Sequence, residues 1–123
     1  MPPEQHELME KARALGKAIA SSHVMREVRQ AEQMVRQDVE ARKLSEEQGE
    51  LMERLATMEA ENRPIGAEDR RKMAELYEKI SSNPLHQRLL RAQVEYRNLL
   101  NRVSDAIASE LGESLEQDED LET

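Results

Sequence analysis

Apolar side chains recur at three- and four-residue intervals along nearly the whole chain, broken by short polar punctuation. Leu8, Ala12, Leu15 and Ile19 form the first stripe. Pro2 and Pro3 precede it and suit a first helical turn, where a missing N–H costs nothing. Ser21 and Ser22 interrupt the pattern and offer capping oxygens for a second helix carrying Val24, Val28, Ala31 and Val35. Asp38 is the next capping residue, opening a longer helix with Ala41, Leu44, Gln48, Leu51, Leu55 and Met58 on one face. The run Asn62-Arg-Pro-Ile-Gly66 predicts a loop, with proline and glycine ending the helix. A fourth helix follows over about 67–81, with Met73, Leu76 and Ile80 inward. Asn83-Pro84 resets the chain as cap and first helical position. The fifth and longest helix carries Leu85, Leu89, Ala92, Tyr96, Leu99, Val103, Ala106 or Ile107, and Leu111, while Leu90, Val94 and Leu100 widen its apolar face enough for more than one neighbour. Gly112 is placed as its stop. The spacing therefore predicts an all-α fold, about five helices in an antiparallel bundle with a long C-terminal helix.

Composition sharpens this picture at two points. Leu, Ile and Val make up 24 of 123 residues, and the net charge is −8, values at the border of disorder. Six acids and no base fall after Gly112, so 113–123 reads as an acidic, disordered tail and 1–112 as the single helical domain. Without the tail, 20 acids face 18 bases and the body is nearly neutral. With no Phe, no Trp and two Tyr, the core of one copy is thin, and a homodimer or higher homo-oligomer sharing helix faces is expected. Leu51, Leu55, Leu89, Tyr96, Leu100 and Val103 are the expected self-association residues. The absence of Cys excludes a disulfide scaffold, thiolate metal sites and a thiol nucleophile. No apolar run is long enough to span a membrane, and the first residues lack a secretory h-region, so a cytoplasmic location is expected.

Chemistry is sparse. His6, His23 and His86 fall on three different helices, and the residues three before them are Pro3, Ala20 and Asn83, so the Glu-x-x-His pairs of a carboxylate-bridged metal bundle are missing. They read as exposed helix-surface histidines. Nucleotide, hydrolase and zinc-protease motifs are also missing. Carboxylate pairs such as Glu46-Glu47 and Glu68-Asp69 lie beside turns or on polar faces and read as solvated, while Glu40 with Lys43, Glu50 with Arg54 and Glu75 with Lys79 read as pairs within a helix. No catalytic, cofactor-binding or metal residue is assigned, and no enzymatic activity is expected. Arg26, Arg29 and Arg36 share one face of the second helix, with Met25 and Met34 beside its apolar stripe. These five are the expected partner-binding residues. The arginines suit contact to an acidic protein or to RNA; salt bridges to the 26 acids are the plainer reading, and the acidic balance argues against general nucleic-acid binding.

The series Ala14-Leu15-x-x-x-Ile19-x-x-Ser22, then Asp38-x-x-Ala41-x-x-Leu44, the Pro-Ile-Gly loop, and Asn83-Pro84 with Ala92, Leu99-Leu100, Val103 and Ile107 resembles the YlbF/YmcA family of small helical bacterial proteins. The resemblance runs over about residues 8 to 111 and rests on helix-packing and turn residues. It implies an all-helical, often dimeric regulatory or adaptor protein without catalysis. It further implies protein partners, either related YlbF-family proteins or an endoribonuclease of the RNase Y type, and a role in mRNA processing, competence, sporulation or biofilm formation. Some members hold iron–sulfur clusters through cysteines, which this chain lacks.

Overall fold

The computed structural model describes the backbone of residues 2–122 and the side chains of residues 2–112. Five helices follow in order: α1 (Pro3–Ala20), α2 (His23–Gln37), α3 (Val39–Ala60), α4 (Ala67–Ser82) and α5 (Pro84–Glu122). The fold is all-α, and the described residues contain no strand.

Local chemistry accounts for each boundary. Pro3 opens α1, and the Ser22 hydroxyl accepts from the Met25 N–H at 3.2 Å to cap α2. Asp38 is at once the end of α2 and the N-cap of α3; its carboxylate accepts from the Ala41 N–H at 2.9 Å. Asn83 serves the corresponding corner between α4 and α5, with Oδ1 accepting from the N–H groups of Leu85 and His86, both at 3.1 Å. Two of the four turns are thus a single residue long.

The end of α3 differs from the sequence expectation. Asn62, at φ 56°, stops the helix in the left-handed region. Its N–H bonds the Glu59 carbonyl at 3.1 Å, and the Arg63 N–H bonds the Met58 carbonyl at 2.8 Å, a Schellman closure with asparagine in the place usually held by glycine. Gly66 has ordinary extended angles and is the N-cap of α4. Gly112 likewise has no positive φ and lies inside α5, so the expected glycine stop is not there. The disorder expected for 113–123 lies outside the residues whose side chains are described.

The core sits where α2 crosses α5. Ala31 is 1 % and Ala92 7 % exposed, with Val28 beside them and Leu89 and Tyr96 packed around the cluster. Small side chains at a crossing let two helices approach closely, so α2 and α5 meet through alanines and are flanked by larger apolar groups. The pair runs antiparallel. Met34 near the end of α2 meets Arg88 early in α5, whereas Val24 at its start lies beside Glu95, Asn98 and Arg102. α3, α4 and the first part of α5 form a second layer of successive hairpins, with Leu44 and Met58 buried.

Two elements project from this body. α1 buries none of its residues and meets the rest mainly at its α2 end. α2, about 22 Å long at 1.5 Å per residue, is too short to cover α5, and Ile107 and Leu111 are exposed beyond it. The chain exposes 9959 Å². The surface–mass scaling gives about 6,800 Å² for a compact monomer of this size.

Two substitutions test this account by chemical denaturation. Ala31→Leu pushes α2 off α5 and lowers stability by about 1–3 kcal/mol. Asn62→Val places a β-branched residue at positive φ and costs about 1–2 kcal/mol, while Asn62→Gly leaves stability unchanged or higher.

Candidate functional site

The chain's clearest concavity lies between α3, α4 and α5. It is a groove of about 530 Å³. α3 contributes Leu51, Met52 and Leu55 to it, and α4 contributes Met73, Leu76, Tyr77 and Ile80. α5 closes it with His86, Leu89 and Leu90. The polar positions along it are neutral: Gln48, Gln87, Gln93, Ser45 and Ser81. No Asp, Glu, Lys or Arg lines it, although those residues are 36% of the chain. On the opposite side of the α3–α4 hairpin the balance reverses, with Glu47, Glu50, Arg54, Lys72, Glu75 and Lys79 lining a charged hollow.

Helix hairpins explain how the sequence gathers this lining. The one-residue corner at Asn83 fixes α4 against α5, so Ile80 and Gln87 lie nearest the corner, Tyr77 and Leu90 one turn out, and Met73 and Gln93 beyond them. His86 pins the third wall. Its Nε2–H donates to the Ala41 carbonyl at 2.9 Å, with the Ser45 Oγ 3.5 Å from the same nitrogen. A carbonyl can only accept, so the ring proton sits on Nε2. His86 is therefore half-buried between α5 and α3, not the exposed surface histidine expected from sequence.

The expected self-association residues divide among three places. Leu51, Leu55 and Leu89 come together in the groove. Tyr96, and Leu89 on another side, pack on the α2–α5 core. Leu100 and Val103 are half-buried further along α5. Of the expected partner-binding residues, Arg26, Arg29 and Arg36 are exposed on α2, and Arg36 lies 3.9 Å from Glu32. Met25 and Met34 are half-buried. The Met34 sulfur accepts from the Arg88 guanidinium at 3.2 Å, and Arg88 also lies 3.8 Å from Glu27, tying α5 to α2.

Asp69 departs furthest from the sequence reading. Expected on a solvated face, it is 5 % exposed at the first turn of α4. Its Oδ1 lies 3.3 Å from the Arg54 guanidinium on α3 but out of hydrogen-bond alignment. The intrahelical pairs anticipated nearby give way to this link: Arg54 reaches across to Asp69 in place of Glu50, and Glu75 lies 3.9 Å from Arg71. His23 lies 3.9 Å from Glu27, and among the described residues no three His, Asp or Glu side chains converge as a metal site would need. Among the described residues no helix is long and apolar enough to cross a membrane.

These features define a small all-helical bundle protein whose surface is marked by apolar faces. Residues 8–112 match the family model described as "Control of competence regulator ComK, YlbF/YmcA", and the chain belongs to this family. Membership makes it a regulatory protein by family. No curated protein and no solved structure matches the chain.

The Arg54–Asp69 pair is asymmetric, because Arg54 is mostly solvated and Asp69 is not. Arg54→Met strands a buried carboxylate and lowers unfolding stability by about 1–3 kcal/mol. Arg54→Met combined with Asp69→Leu recovers most of the loss, since the stranded charge is gone. Denaturation midpoints of the single and double variants check both.

Proposed function

We propose that this protein is a non-enzymatic regulator that self-associates and acts by docking on protein partners in the cytoplasm. The observation that carries the reading is the surface. A chain of this mass exposes 9959 Å², far above the compact-monomer value, and two apolar faces stand partly uncovered on it. One is the α1 stripe, with Leu8 and Leu15 exposed and Ile19 half-buried; the other is α5 from half-buried Leu100 and Val103 to exposed Ile107 and Leu111. Each spans twelve residues, about 16 Å from first to last. α1 buries none of its residues, so most of its apolar stripe has no neighbour within one copy. In a two-fold dimer, α1 of each copy lies on the distal α5 face of the other, a self-complementary arrangement.

Family membership supports a place in competence regulation. Within that reading the partner is an endoribonuclease of the RNase Y type or a related YlbF-family protein, and the output is altered mRNA processing. Arg26 and Arg29, with Met25 and Met34 behind them, are then available to an acidic partner surface.

Sedimentation velocity at micromolar concentration is expected to give a dimer or larger. Leu15→Glu and Ile107→Glu each weaken it by roughly 30-fold or more, the effect of losing a central interface residue, with helical content retained. A monomeric wild type overturns the self-association. In a reconstituted cleavage assay with the host's RNase Y-type enzyme, the wild-type chain changes the rate of transcript cleavage and alone leaves RNA intact. An unchanged rate overturns the ribonuclease link, and cleavage by the chain alone overturns the non-enzymatic reading.

A further inference from the structure

We infer that two copies join end to end: α1 of each runs parallel to the distal α5 of its partner, the bodies lie at opposite ends of the shared helices, and charge selects this direction. The inference rests on the self-association reading above and assigns it an orientation.

Connectivity limits the choices. α1 ends at Ala20 and α2 begins at His23, so one end of α1 is tied to the start of α2. Val24, at that start, lies beside Asn98 and Arg102 of α5. α1 and the distal part of α5 therefore leave the body from the same end. Along its own α5, α1 can run only antiparallel, with Ile19 toward Leu100 and Leu8 toward Leu111. Along a partner's α5 it has two directions. The antiparallel one sets the two bodies side by side, with the far ends of all four helices gathered together. The parallel one sets Leu8 beside the partner's Leu100, Ile19 beside the partner's Leu111, and the bodies at opposite ends.

Apolar contact does not decide between them. Both stripes span twelve residues, Leu8 to Ile19 and Leu100 to Leu111, and overlap fully either way. Charge does decide, because both segments are polarised along their length. α1 carries Glu4, Glu7 and Glu10 before any Lys or Arg, then Lys11, Arg13 and Lys17 with no further acid. After Glu95, α5 carries Arg97 and Arg102, then Asp105 and Glu110, and the acids beyond Gly112 follow.

In the parallel register, residues 4–10 lie along the partner's 96–102, which hold Arg97 and Arg102 and no acid. Residues 11–18 lie along the partner's 103–110, which hold Asp105 and Glu110 and no base. In the antiparallel register, residues 4–10 lie along 109–115, which hold Glu110 and Glu113 and no base. Side by side, the far end of the bundle would gather ten acids from each copy, namely Glu4, Glu7, Glu10, Glu110 and the six after Gly112. Like charges brought together at an interface suppress that arrangement. The same opposition holds for α1 against its own α5.

The pairs within α1, Glu7 to Lys11 at 3.5 Å and Glu10 to Arg13 at 3.1 Å, are exposed and hold little energy, so they leave the polarity intact. Arg97, Arg102, Asp105 and Glu110 form no ion pair among the described residues.

The chain has no Cys, so introduced cysteines report the direction in the full-length protein. Two singly substituted chains, one of them tagged, are mixed and oxidised. Leu8→Cys with Leu100→Cys is expected to give the mixed disulfide, and Leu8→Cys with Leu111→Cys is not. Positions 100 and 111 are about 16 Å apart along the helix, and a disulfide tolerates no more than about 7 Å between Cα atoms. In a second measurement, Glu4→Lys with Glu7→Lys and Glu10→Lys weakens the dimer about tenfold, the sum expected of several exposed ion pairs. Adding Arg97→Glu and Arg102→Glu to that chain restores it, with helical content unchanged throughout. A tighter dimer from the three α1 substitutions overturns the proposal, since it marks the side-by-side arrangement. So does a link from position 8 to position 111, or to Leu90→Cys, which would seat α1 in the α3–α4–α5 groove. Each of those results leaves self-association standing and removes only the orientation. A wild-type chain that stays monomeric removes both.

Discussion

The close approach of α2 to α5 at Ala31 and Ala92 is the constraint on which the rest of the molecule depends. Dispersion and apolar burial scale with how near two helices come, and alanines allow the nearest approach available to residues with a side chain. With no large side chain fully buried among the described residues, this chain has little else to hold its layers together. The contact is backed by Arg88, which spans to Glu27 and Met34, and by the two capped corners. Because α2 is short, the same contact that secures the body leaves much of α5 without a covering helix. The tight crossing and the exposed end of α5 are two results of one geometry.

The mixture of apolar and charged surfaces follows from the arrangement of the hairpins. α3 and α4 each carry a full complement of charge, yet their crossing sorts it. One side of the hairpin gathers six charged residues and the other gathers none. Sorting of this kind separates a solvated wall, where exposed ion pairs contribute little, from a face that water covers poorly. The chain belongs to a regulatory family.

Much of the fold was legible in the sequence because it is written locally. Stripe spacing, Ser22, Asp38 and Asn83 act within one or two turns, and the helices begin and end close to where those residues put them. Leu90, flagged by a widened apolar face, indeed meets space that α2 does not fill. What was hidden depends on angles between helices. Asp69 looks like any first-turn acid until Arg54 arrives from α3. His86 looks like a surface residue until the corner at Asn83 swings it onto the Ala41 carbonyl. The turn after α3 concealed its own mechanism as well, since proline and glycine drew the eye while Asn62 held the left-handed backbone. The charge-free groove could not be read at all, because its lining is drawn from three helices and no single stretch is uncharged.

The single-residue corners have a kinetic consequence. A loop of several residues lets adjacent helices hinge; a corner made of one capped asparagine, itself buried, does not. The walls that α4 and α5 give the groove are consequently held in place before anything arrives. A partner that fits such a cleft spends none of its interaction energy on shaping it, and association proceeds without waiting for a conformational step. The groove's shape is thus a fixed property of the chain, written into the single buried residue Asn83.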